Sequence, residues 1–287
     1  MKYMTFNSSC SFAGVANMLE GKGLDVQDYE VALGMELPYI VAKDDGGYMA
    51  GSMLQEKKYF DIFLKKNGYE LVENYVDRQN VIAILNDMDC AMLGIRIDER
   101  HKHAVVYKGV NTADNTFVFI NNKHEKSDEP ARIELTKDEL LQRLDDKVMV
   151  ASLKEYSGKE DSPIPFMEAS ISCLDELHGD IVRFCADFQS HESVERTRDT
   201  LFRPVLLDSV AMMELIGAAD MAESIKKLQR AYIAAAFKSG AEQVRLCKHI
   251  DMLLLEQVID GWKGLIGTRV RPHVPRLGHG VRPLSHN

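Results

Sequence analysis

The hydrophobic period of this chain changes once. Up to Leu153, short β-branched runs alternate with helical segments. Beyond the polar, breaker-rich stretch Ser157-Gly158-Lys159-Glu160-Asp161-Ser162-Pro163-Ile164-Pro165, almost everything from Phe166 to Ile266 is helical in pattern. A strand-bearing first part and a helical second part predict an α+β protein of two domains, residues 1–156 and 163–267. Residues 268–287 are rich in Pro, Gly, Arg and His without periodicity and read as a flexible basic tail.

Within the first part, Phe12, Val15, Ala16 and Leu19 fall at i, i+3, i+4 and i+7, which predicts a helix capped by Ser8 or Ser9 and ended by Gly21-Lys22-Gly23. A second helix runs through Tyr59 to Leu64 and stops at Asn67-Gly68; a third lies near Asn80 to Asn86. Strands are expected near Tyr69–Tyr75, Ala91–Ile97, His103–Gly109, Thr116–Asn121, Arg132–Leu135 and Val148–Leu153, with a capping box at Thr136-Lys137-Asp138-Glu139 opening a further helix. The stretch from Gly46 to Gly51 lacks the Gly-Lys-Ser/Thr ending of a phosphate loop and reads as a flexible loop leading into a helix.

Cys10 stands at the start of the first helix. There the unpaired backbone N–H groups and the positive end of the helix dipole stabilise a thiolate, and the same N–H groups can help to hold an oxyanion. The hairpin of His103–Gly109 and Thr116–Asn122 places the first residue of one strand beside the last residues of the next. Cys10, His103 and Asn121 then suit nucleophile, base and orienter, with Asn122 an alternative orienter. Each residue also has an ordinary reading: a small buried thiol, a strand-end imidazole, a turn-forming amide. Cys90, Cys173, Cys185 and Cys247 sit in apolar or helical patterns and read as core.

His101 and His103 are two apart on one side of a strand, so a zinc site with Cys10 or Asp98 is a competing reading. The chain has no C-x-x-C pair and no H-E-x-x-H, and no metal or other cofactor is expected.

With a Cys opening the first long helix, a His opening a strand of the form H-x-V-V-x-x-G and an amide ending the next strand, residues 1–153 resemble the papain-like peptidase C39 superfamily. The likeness is closer to the N-terminal domain of the butirosin biosynthesis protein H type. The run from Gly23-Leu24-Asp25 through Gly34-Met35 to Gly46-Gly47-Tyr48 also looks like the segment that follows the nucleophile helix in that group. The resemblance implies a nucleophile helix packed on an antiparallel sheet, a Cys-His-Asn thioester mechanism, and a loop at Gly46, Gly47 and Tyr48 that helps to wall the substrate cleft. Many C39 peptidases carry an oxyanion Gln ahead of the Cys, where this chain has only Asn7, so the resemblance implies either Asn7 as the oxyanion donor or a hole of backbone N–H groups alone; the Asp-Pro usual after the second strand is Asn121-Asn122 here.

The composition, 45% hydrophobic and 28% charged, is that of a globular protein. No apolar run of membrane-spanning length and no charged-then-apolar leader is present, and five cysteines are too few and too odd for a disulfide framework, which predicts a cytoplasmic protein with reduced thiols. The formal charge is −9, and because residues 268–287 hold four arginines and no acid, the body carries −13, which argues against nucleic acid as a partner. The expected function is cysteine-dependent acyl transfer or amide hydrolysis. The acyl donor is a small molecule, a peptide or an acyl carrier protein, and the Leu, Met and Ala stripes of the helical half read as core or as a homodimer surface. The opposing class is a binding protein that keeps the fold without catalysis.

Overall fold

The computed structural model describes residues 1–45, 47–97, 102–186, 201–202, 208–236, 238 and 240–271. Its centre is a six-stranded antiparallel sheet of β3 (Tyr69–Asp77), β4 (Ala91–Arg96), β5 (Lys102–Asn111), β6 (Thr116–Asn121), β7 (Arg132–Leu135) and β8 (Lys147–Glu155), in the order β3-β8-β4-β5-β6-β7. A two-stranded hairpin, β1 (Val41–Asp44) with β2 (Gly47–Ala50), stands apart from it.

Strand alternation sends side chains to two cores. One face of the sheet carries Leu71, Met92, Val106 and Ala151 and is covered by α1 (Cys10–Glu20), α2 (Asp28–Gly34) and α3 (Lys57–Lys66). The other carries Leu93, Ile95, Val105, Tyr107, Phe117, Phe119 and Val150 beneath α4 (Val81–Asn86) and α5 (Lys137–Arg143). Thr136 caps α5 and Glu139 returns a bond to the Thr136 backbone, the reciprocal box expected from the sequence.

Strand β5 passes through Gly109 rather than ending there. Tyr107 faces Phe119 and Val110 faces Phe117, so Lys108 and Gly109 together oppose Val118 in a bulge, and Gly109 supplies the positive φ of 113°. The expected loop at 46–51 is likewise β-structure: Tyr48 pairs with Lys43 in the hairpin, while Gly46 lies outside the described residues.

The second half is helical: α6 (Ile164–Ala186), α7 (Ser209–Leu215), α8 (Ala219–Ala236), α9 (Gly240–Cys247) and α10 (Met252–Val270). Ser193 to Leu201, also helical in pattern, lies almost wholly outside the described residues. The helical pattern breaks at Gly217, and again where Asp251 accepts a hydrogen bond from the Leu254 N–H at 3.0 Å and starts α10 as an N-cap. Helix α10 continues into the expected tail as far as Val270, because the Arg269 guanidinium makes two bonds to Glu36, at 2.6 and 3.1 Å, and lies over the Tyr39 ring. Residues 272–287 lie outside the described residues.

The helices do not form a core of their own. Met167, Leu174, Trp262 and Ile266 belong to the same buried cluster as Phe12, Leu19 and Phe60. The Trp262 indole N–H donates to the Pro38 carbonyl at 2.9 Å, and the Val41 N–H donates to Ser170 Oγ at 2.9 Å.

Candidate functional site

Cys10 is the first residue of α1 and is half-buried. Ser9 occupies the N-cap position without capping: its hydroxyl donates to Asp28 Oδ2 at 2.9 Å, with the Phe6 carbonyl a competing acceptor at 3.0 Å. Asp28, 1% exposed, also accepts from the Thr5 N–H and Thr5 Oγ1, both at 2.6 Å, so α2 holds the loop that presents the thiol. First-turn N–H groups of a helix have no intrahelical acceptor, and in α1 no side chain caps them.

Helix α1 approaches the sheet through Gly14, where a Cβ would lie 2.3 Å from Met92 Sδ and 2.9 Å from Asn122 Nδ2. Asn17, one turn further on, donates to Asn122 Oδ1 at 3.0 Å, and its carbonyl accepts from Lys108 Nζ at 3.1 Å. The helix therefore runs along β5 in the strand's own direction. Cys10, four residues before Gly14 and about 6 Å back along the axis, projects toward the end of the sheet where β5 begins and β6 ends.

His103 and Asn121 stand at that same end. His103 pairs with Ile95 and Asn121 with Val105, so both continue the face of the α4–α5 core and are diagonal neighbours on it. Among the described residues no hydrogen bond joins Cys10 to His103, and two buried atoms here lack any hydrogen-bond partner: His103 Nε2 and Asn121 Oδ1. Burial pushes the His103 imidazole below its ordinary value. The Asn122 backbone, the Glu129 charge and the Asn121 side chain oppose that shift, and His124 adds to it. The ring is therefore neutral at pH 7, the state a general base requires.

Asn122 belongs to the other face. Its Nδ2 donates to the Ala104 carbonyl at 2.9 Å and its Oδ1 accepts from Asn17, whose Oδ1 in turn accepts from the Lys2 N–H at 2.7 Å. Its side chain ties the N-terminal segment, α1 and the hairpin together, and only its backbone acts on the imidazole.

Asn7, expected as an oxyanion donor, gives its Nδ2 to Asp208 Oδ1 at 3.1 Å. Asp208 lies just before α7 with φ of 57° and also accepts from Ser52 Oγ, so the helical half reaches the loop before Cys10. Gln55 brackets Cys10: its Oε1 accepts from Ser11 Oγ, and its Nε2 donates to the Ser8 carbonyl and, at 2.7 Å, to the Ser52 carbonyl. Neither Gln55 nor Asp208 had a signal in the sequence, since each acts across 44 residues or more of chain.

Of the cleft residues expected from the resemblance, Gly46 lies outside the described residues. Tyr48 is buried, its hydroxyl donates to Asp180 Oδ2 of α6 at 2.6 Å, and Lys43 covers its ring, so it joins the hairpin to the helices. Gly47 is its strand neighbour at the hairpin turn. A groove of about 540 Å³ between β1 and α6 is lined by Lys43, Tyr59, Phe166, Cys173 and Glu176, and neither Cys10 nor His103 borders it.

Among the described residues no three His, Cys, Asp or Glu side chains are grouped to hold a metal ion, and no helix is long and apolar enough to cross a membrane. His101 and Asp98 lie outside the described residues. Of the other thiols, Cys247 is buried, Cys173 is pushed up to about 11 by burial, Cys90 is raised by burial, and Cys185 is raised by its hydrogen bond with Cys247 and by burial. No protein-family model matches the chain, and a search of curated proteins finds no significant match.

Proposed function

We propose that the chain is a cysteine-dependent acyl-transfer protein with Cys10 as nucleophile, His103 as base and Asn121 as orienter, built on a papain-like arrangement of residues 1–156 with the helical half as cover. The observation that supports it most is that three features stand toward one end of the sheet, the thiol on the α1 side and the imidazole and amide on the α4–α5 side. These are a helix N-terminus bearing a half-buried thiol, a neutral imidazole, and an amide oxygen left without a partner beside that imidazole's strand.

In the reaction, Cys10 Sγ attacks the carbonyl carbon of a thioester or amide while its proton passes to His103. The tetrahedral oxyanion is stabilised by first-turn N–H groups of α1, and collapse expels the thiol or amine, which takes the proton from the imidazolium. Water or an amine then attacks the acyl-Cys10 thioester and gives its proton to His103; collapse breaks the C–S bond, releases the acylated product, and Cys10 Sγ takes the proton back from the imidazolium. The acyl donor is a small-molecule or peptide acyl group or an acyl carrier protein, and the reaction belongs to a reducing, cytoplasmic setting that keeps the thiols free.

The test is incubation with a small acyl thioester of N-acetylcysteamine, followed by site-resolved mass spectrometry and by iodoacetamide alkylation from pH 5 to 9. The expected result is one acyl adduct, on Cys10, absent from Cys10→Ser and formed at least tenfold more slowly in His103→Ala. Alkylation of Cys10 should also outpace that of the other four cysteines. No adduct, together with a Cys10 alkylation rate that ignores His103, overturns catalysis and leaves a binding protein of the same fold.

A further inference from the structure

Asn121 is 2% exposed, and its side-chain NH2 has two acceptors on the segment between β6 and β7: Glu129 Oε2 at 3.2 Å and the Pro130 carbonyl at 3.0 Å. Turning this amide over would set its oxygen against a carboxylate and a carbonyl and would strand the NH2 in the interior. The orientation is thereby fixed, with Nδ2 toward the segment and Oδ1 on the opposite side, buried and unpartnered. The other unpartnered buried atom at this end of the sheet is His103 Nε2, one diagonal step away on the same face. A proton on Nε2, with a small turn of either side chain, makes the two atoms donor and acceptor and removes both deficits at once. It also leaves Nδ1 as the basic nitrogen.

We propose that Glu129 is a positioning residue that acts through Asn121 to hold His103 as its Nε2–H tautomer. The inference rests on the reading of His103 as the base. Glu129 is an exposed side chain whose charge also acts on the ring and favours its protonated form. Of the other titratable groups on that segment, His124 opposes it, its Nδ1 donating to the Met4 carbonyl at 2.9 Å; Lys123 Nζ donates to the Ser127 carbonyl at 2.5 Å, and Glu125, Lys126 and Asp128 are exposed. On the adjoining strands Arg96 and Lys102 are both engaged by Asp145, and across the sheet end stands Cys10.

The experiment is long-range ¹H–¹⁵N correlation of the imidazole nitrogens across a pH titration in wild type, Glu129→Ala, Glu129→Gln and the neighbouring control Glu125→Gln. The expected wild-type spectrum is the Nε2–H tautomer. In Glu129→Ala the tautomers should mix and the titration midpoint should fall. Glu129→Gln keeps an acceptor for Asn121 without the charge, so it should retain the tautomer while the midpoint falls; Glu125→Gln should change neither. An Nδ1–H ring in wild type, or a Glu129→Ala spectrum identical to wild type, overturns the proposal. These nuclei report whether or not Cys10 can be acylated. A missing acyl adduct with an intact tautomer response therefore defeats the acyl-transfer reading alone, and an adduct with no tautomer response defeats the role of Glu129 alone.

Discussion

Gly14→Ala is the substitution for which helix propensity and packing predict opposite signs. In the interior of α1, alanine is favoured over glycine by about 1 kcal/mol. Against this, the new Cβ would lie 2.3 Å from Met92 Sδ, 3.3 Å from Met92 Cγ and 2.9 Å from Asn122 Nδ2. Met92 is 3% exposed and packed in the core, so it yields only by displacing neighbours, an overpacking cost of about 1–3 kcal/mol. Asn122 is held by Ala104 and Asn17, and moving it weakens two buried hydrogen bonds worth roughly 1 kcal/mol each. The balance favours packing, with a net loss of about 1–3 kcal/mol. Urea unfolding followed by circular dichroism measures it as a lowered midpoint at unchanged slope. The companion variant Met92→Ala costs about 2–5 kcal/mol alone, and in the double variant the two losses should fall short of their sum by about 1 kcal/mol or more. A Gly14→Ala protein as stable as wild type or more so would refute the close approach of α1 to the sheet, and with it the placement of Cys10.

Two further outcomes follow from the packing. Asp28→Ala removes the acceptor of Thr5 and Ser9 and should cost about 2–3 kcal/mol by urea unfolding while slowing Cys10 alkylation; unchanged stability would show that the loop before Cys10 holds itself. Trp262 is the only tryptophan and is buried against Pro38, so its fluorescence and the far-ultraviolet circular dichroism should report one coincident unfolding transition. Two separated transitions would contradict a core shared by the two halves.

Secondary structure was legible where a local pattern was sufficient cause. The capping box at Thr136, the stop at Asn67-Gly68 and the strands bounded by turn residues appear as read, because each is decided within a few residues. The stretch 46–51 was not legible, since a glycine-rich run reads as a loop until a partner strand is supplied, and here Val41–Asp44 supplies it. The tail was misjudged at its start for a similar reason. Arg269 is helical because Glu36, more than two hundred residues earlier in the chain, waits for its guanidinium.

The candidate site shows the same division between local and distant causes. Sequence order brought Cys10, His103 and Asn121 to one end of the sheet, and hairpin geometry made His103 and Asn121 same-face neighbours. Order could not say which face each strand end presents, because that follows from the register. The register turns Asn121 toward the α4–α5 core and Asn122 toward α1, which gives adjacent asparagines separate tasks. Asn122 is consumed in tying α1 to the hairpin, so its loss should act first on stability. Asn121 keeps an uncommitted oxygen, so its loss should act first on the imidazole. The loop before Cys10, meanwhile, is held from α2 by Asp28, from the segment after β2 by Gln55 and from the helical half by Asp208. A thiol presented by three separate stretches of chain is ordered only when all three are folded together, which ties the geometry at Cys10 to the integrity of the helices as closely as to that of its own helix.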